Sequence, residues 1–120
     1  MMLKAVWSLA NRIVLVALYP EEYNSMDVLQ TSDFSSWFSS LKDKKAKASV
    51  QVRIDRAEDG NFGDHEFVGA GVSEMRIDYG PGYRVYYTLH LGVLIILLAG
   101  GDKSSQAKDI KKAQALARKL

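Results

Sequence analysis

Apolar residues recur along this chain at two different periods, and the change of period divides it. Phe34, Trp37, Phe38 and Leu41 fall at i, i+3, i+4 and i+7, which is one stripe of an amphipathic helix with Ser32 or Asp33 as its cap. Ala46, Val50, Ile54 and Ala57 repeat the same stripe behind a second cap, Asp43, and leave Lys42, Lys44, Lys45 and Lys47 near the start of that helix. Lysines there oppose the helix macrodipole by a few tenths of a kcal/mol each (~0.3 or more), so helix stability does not account for them.

Beyond Gly60 the period changes to two. Gly60, Gly63, Gly69 and Gly71 punctuate an acidic, loop-rich connection with room for a short strand at His65 to Val68. In VSEMRID, residues 72–78, Met75 and Ile77 share one face while Glu74, Arg76 and Asp78 share the other. In GYRVYYTL, residues 82–89, Tyr83, Val85, Tyr87 and Leu89 oppose Arg84, Tyr86 and Thr88, with His90 continuing the second face. GVLIILLA, residues 92–99, is apolar throughout and reads as a central strand covered on both sides. Ser104 or Ser105 then caps a last helix running to Leu120, with Ala107, Ile110, Ala113 and Ala117 as its inner stripe. With MDVLQT as an opening strand, the order is strand, two helices, a meander of three or four antiparallel strands, and a helix. That is an α+β domain spanning residues 26–120.

The first 25 residues stand apart. Their apolar stretches are broken by Asn11-Arg12, and the longest clean run, Ile13 to Tyr19, is far short of the ~20 residues a membrane span needs. No small-x-small cleavage pattern follows Leu18, which argues against a secretory signal. This segment is read as an extension outside the functional core. The 120 residues contain no cysteine, which removes disulfides and thiolate metal ligands and fits a cytoplasmic protein.

Charge adds a distribution rather than a total. The net charge is +2, yet Lys42 to Arg56 holds six basic residues against two acidic ones, and Asp102 to Leu120 again six against two. Glu58 to Glu74 holds five acids and no lysine or arginine. Such a chain can turn one face toward a polyanion and another away from it; Lys-rich solvated helix faces are the plainer alternative.

Chemistry concentrates in RIDYGPGYRVYYTL, residues 76–89. A hairpin closing symmetrically about Gly80 sets Arg76 and Arg84 opposite each other on one face, a like-charge pairing that is destabilising by under about 1 kcal/mol when exposed. An anion between them makes sense of it, because guanidinium forks bind phosphate oxygens bidentately. The alternative is that Glu74 and Asp78 neutralise both arginines as ion pairs. Tyr86, on the same face, offers a ring for base stacking. Lys103, in GGDKSS, emerges beside the last helix's N-terminus, where anions are favoured. The other constellations fail: GGDK lacks the Walker spacing, GAG at 69–71 lacks the third glycine of a dinucleotide fingerprint, and no Gly-x-Ser-x-Gly elbow exists. Asp64-His65-Glu66 has adjacent rather than metal-spaced ligands, so neither a metal nor a cofactor is expected.

GNFGD at 60–64, GVSEMRIDYGPGYRVYY at 71–87 and GGDKSSQAKDIKKA at 100–113 together resemble the RelE/HigB-like toxins of bacterial toxin-antitoxin modules, in particular the branch of addiction-module killer proteins. The resemblance covers roughly Met26 to Leu120. It implies a RelE-like fold and an endoribonuclease that cuts messenger RNA at the ribosome and is silenced by an antitoxin, often of helix-turn-helix type, with no small-molecule cofactor. By the resemblance Arg84 is catalytic and Arg76 and Lys103 supply further positive charge; Lys42, Lys44, Lys45, Lys47, Lys108, Lys111 and Lys112, in the two basic segments, are the candidates for RNA contact. The C-terminal helix lacks the tyrosine often found there, and Tyr86 is the residue facing the arginines that can replace it. Two other readings keep the same fold: a ParE-like inhibitor that binds gyrase, and an inactive interaction homologue.

Overall fold

A computed structural model describes residues 25–120, so the reading of residues 1–25 as an extension falls, Ser25 apart, outside the described residues. The elements run β1 (Asp27–Gln30), α1 (Ser32–Ser40), α2 (Lys44–Glu58), β2 (His65–Gly69), β3 (Val72–Ile77), β4 (Tyr83–His90), β5 (Leu94–Asp102), a 3₁₀ turn (Lys103–Ser105) and α3 (Gln106–Arg118). The five strands form one mixed sheet in the order β1-β5-β4-β3-β2. Strands β2 to β5 make the expected antiparallel meander, at its four-strand limit, and β1 adds to its edge parallel to β5.

Each strand's alternation sorts its side chains between two cores. Met75, Ile77, Val85, Tyr87, Ile95 and Leu97 face α1 and α2, where Phe34, Val50, Ile54 and Ala57 meet them. Val72, Tyr86, Leu94, Ile96 and Leu98 face α3, where Ala113 is buried and Ile110, Leu116 and Ala117 pack in. Burial of each large member stabilises the fold by roughly 1.5–3 kcal/mol. β5 feeds both layers, which is why its sequence shows no polar position between Leu94 and Ala99.

Helix boundaries follow local chemistry, with two shifts from expectation. The cap of α1 is Thr31, not Ser32 or Asp33: its Oγ1 accepts from the Phe34 N–H at 3.0 Å and donates to the Leu98 carbonyl at 2.6 Å. A hydroxyl that can do both ties the helix start to β5, which a neighbouring exposed serine cannot. Asp43 caps α2 as expected, accepting from the N–H groups of Lys45 and Ala46, and its other oxygen accepts from the Tyr79 hydroxyl at 2.8 Å. In α3 the inner stripe starts with Gln106 in place of Ala107, which is exposed.

Gly100 and Gly101 belong to packing. A Cβ on Gly100 would lie 2.0 Å from the Trp37 ring of α1, and one on Gly101 would lie 1.8 Å from Asp109 Oδ2 of α3. The paired glycines let a helix approach each face of the sheet at the end of β5.

Candidate functional site

Register sets the geometry. β3 and β4 pair Arg76 with Arg84 and Glu74 with Tyr86, and β2 brings Glu66 opposite Glu74. Cross-strand partners point to the same face, so two arginines and two glutamates form a patch on the α3 side of the sheet.

Glu74 lies at the centre of that patch and is fully buried. Its carboxylate accepts from Arg76 Nε at 3.0 Å and from Gln106 Nε2 at 2.9 and 3.1 Å, and Arg84 Nε lies 3.8 Å away. A buried carboxylate without such partners would cost several kcal/mol, roughly 3–5 when a partner is removed. Glu74 therefore removes the like-charge penalty that the register alone would impose.

The two arginines sit differently within this frame. Arg76 is ringed by acids: besides Glu74, its Nη2 bonds Glu66 and its Nη1 lies 3.7 Å from Asp64. These carboxylates hold its guanidinium above the ordinary arginine range, the Glu74 hydrogen bond contributing most. The acids expected to neutralise the pair were Glu74 and Asp78; the acids that engage are Glu74, Glu66 and Asp64. Arg84 is deeper, with 12% of its side chain exposed against 31% for Arg76. Its Nη1 donates to the carbonyls of Gly82 and Tyr83 at 3.1 and 3.3 Å, and its Nε is buried without a hydrogen bond.

Arg76, Arg84 and Lys103 line one open cleft of about 350 Å³, together with Asp64, Asp78 and the Gly80-Pro81-Gly82 turn. Gly82 is needed at its rim. Its φ is +78°, which strains any residue with a Cβ, and a Cβ there would lie in van der Waals contact with Arg84 Nη1 (3.4 Å) and Lys103 Cβ (3.5 Å). Lys103 is exposed at the start of the 3₁₀ turn, whose cap Asp102 accepts from the Ser104 N–H at 2.8 Å.

Tyr86 does not offer a ring to solvent. It shares the arginine face as its alternation implied, but α3 covers it completely, and its hydroxyl is buried with no hydrogen bond. Burial, reinforced by the nearby Glu74 and Asp109, raises its phenol well above the ordinary range. Stacking on a base and taking up a proton are both closed to it in this conformation.

The lysines divide between layers. Lys42, Lys44 and Lys45 are exposed about the start of α2, and Lys47 lies over the Phe38 ring at 5.7 Å. Lys108, Lys111 and Lys112 are exposed on α3, against the opposite face of the sheet. Of the expected cations, the cleft unites Arg76, Arg84 and Lys103.

Sequence reasoning passed over Arg53, Glu66 and Gln106. Arg53 reaches from α2 to the carbonyls of Arg76, Phe62 (2.9 Å) and Asp64 (3.0 Å), fixing the loop that carries Asp64. Its signal was hidden in a helical run of basic residues. Glu66 was findable only through the register of β2 on β3, which places it beside Arg76.

A small α+β protein with a cation-lined cleft at a glycine-rich hairpin is the class that fold and site define. Comparison with known families is more specific: residues 36–120 match the phage-derived Gp49-like family (DUF891), and the chain belongs to that family. It is 52% identical over 96 residues to an uncharacterized protein of Haemophilus influenzae strain Rd, an alignment covering 80% of this chain and 97% of that relative. No solved structure matches the chain. Among the described residues, no helix is long and apolar enough to cross a membrane.

Proposed function

We propose that this chain is the toxin of a type II toxin-antitoxin module, a RelE/HigB-like endoribonuclease that acts in the cytoplasm on messenger RNA at the ribosome. The Gp49-like family is a toxin-like family of addiction modules, which supports the coarser part of this reading. The observation that carries the finer part is the cleft where Arg84 and Lys103 flank Gly82 with Arg76 on the same wall.

RNA cleavage through its own 2′-hydroxyl forms a bond from O2′ to phosphorus and breaks the bond to O5′, leaving a 2′,3′-cyclic phosphate and a free 5′-hydroxyl. Charge builds on the non-bridging oxygens as this happens. Fixed cations offset it, and removing one such donor typically costs about 10²-fold or more in rate. Arg84 and Lys103 take that role here. The proton from O2′ passes to a group outside Tyr86, either Asp78 of the cleft or a group of the ribosomal RNA, and the departing O5′ takes a proton from the ribosomal RNA or water to become the 5′-hydroxyl. An antitoxin, of helix-turn-helix type by the resemblance, holds the toxin inactive.

One observation favours a second reading. Three carboxylates around Arg76 neutralise it, as the acids of an inactive interaction homologue would. Induction of the full chain in a bacterial host separates these readings, and the absence of any growth effect would assign the chain to the inactive class. The nuclease reading expects growth arrest with new RNA 5′ ends inside reading frames, both relieved by Arg84→Ala. Arrest with intact transcripts and a DNA-damage response would transfer the assignment to gyrase.

A further inference from the structure

We infer that the outer edge of the Arg76 guanidinium is a phosphate subsite whose occupants in the free protein are the chain's own Glu66 and Asp64 carboxylates. This rests on the ribonuclease reading and specifies how that site takes its substrate. Arg76 presents its nitrogens to three acids of two kinds. Glu74 is fully buried, takes Nε, and is fixed by Gln106. Glu66 and Asp64 take the two Nη atoms and have 62% and 66% of their side chains exposed.

The difference decides which contacts can exchange. Glu74 cannot leave without stranding a buried charge. Exposed ion pairs are held weakly and are screened by water and salt. Two carboxylates lie at the Nη edge, the side of the guanidinium on which a phosphodiester's oxygens engage an arginine fork. Asp64 also lines the cleft shared with Arg84 and Lys103, so an RNA phosphate entering between those cations meets the Asp64 charge and displaces it. Bound RNA then keeps Arg76 on its Glu74 anchor while Glu66 and Asp64 swing into solvent. A chain with this arrangement discriminates against small or weakly charged anions, because a ligand must outcompete two local carboxylates to reach Arg76.

The test uses the full chain and a fluorescein-labelled single-stranded RNA of about 20 nucleotides with 2′-O-methyl riboses, which cannot be cut through O2′. Binding is read by anisotropy at fixed ionic strength for the wild type, Glu66→Gln/Asp64→Asn, Arg76→Ala, and the three changes combined. Thermal melts verify that each variant folds. The double substitution is expected to tighten binding about five- to ten-fold, and the gain is expected to vanish in the Arg76→Ala background. Equal tightening with Arg76 present or absent would reduce the effect to general charge and overturn the subsite. No tightening, or no RNA binding by any form, would overturn it as well. Inorganic phosphate as competitor separates capture of an isolated anion from capture of a polynucleotide: the subsite predicts weak competition against the wild type and stronger competition against the double variant. If the Arg76-dependent gain appears while the ribosome assay shows no cleavage, the subsite stands and the nuclease reading falls.

Discussion

At Tyr86 a phenolic hydroxyl is enclosed between β4 and α3 without a partner, and the nearest analogue on the same face is the unbonded Nε of Arg84. A buried unpaired hydroxyl costs about 1–3 kcal/mol, whereas removing it can be neutral or stabilising. Tyr86→Phe should therefore leave the melting temperature unchanged or raise it, and should preserve toxicity. Loss of toxicity in a well-folded Tyr86→Phe variant would restore the phenol as a chemical group. Arg84 and Arg76 show how residue type and role separate. Both were legible as a facing pair from the symmetry of RIDYGPGYR, and the register pairs them. That one is sheltered by carbonyls and the other ringed by acids was not legible, because it depends on Glu66 and Asp64, which reach Arg76 only through the pairing of β2 with β3.

Among the elements, helices and strands with a strong period were readable, and their ends were set by contacts that no local pattern contains. Thr31 displaced its neighbours as cap because Leu98, 67 residues away, supplies a carbonyl for its hydroxyl. Gln106 replaced Ala107 on the inner stripe of α3 because Glu74 needs a donor. Asp43 links α2 to the β3–β4 turn through Tyr79, and that hydrogen bond, with the helix N–H groups, holds its carboxyl below the ordinary 3.8. A carboxyl depressed in the folded state contributes stability above its unfolded pKa and loses it as pH falls through the folded value. Asp43→Asn should accordingly melt at a lower temperature than the wild type at pH 7, and the gap should narrow by pH 3. A gap independent of pH would mean that the Asp43 charge contributes nothing to holding α2 on the turn.

Across the whole molecule, the sheet separates the two lysine-rich segments that the sequence presents as similar. α2 and α3 lie on opposite faces, so their lysines cannot form one continuous patch on a single sheet face. The 3₁₀ turn brings Lys103 to the hairpin cleft, while the Tyr79–Asp43 hydrogen bond ties the start of α2 to the β3–β4 turn. A bound polyanion that reaches both lysine sets has to pass around an edge of the sheet. The α+β architecture and the meander were readable in advance; this wrapping arrangement required knowing which face each helix covers.

Arg84 is proposed to stabilise the breaking RNA ester in the cleft. The most direct measurement incubates the purified full chain with ribosomes programmed with a defined messenger RNA and maps the 5′ ends by primer extension, wild type beside Arg84→Ala. Discrete cuts with 5′-hydroxyl ends are expected for the wild type, and a cleavage rate lower by about 10²-fold or more for the variant. Uncut messenger with the folded wild type, or equal cutting by Arg84→Ala, would contradict that role.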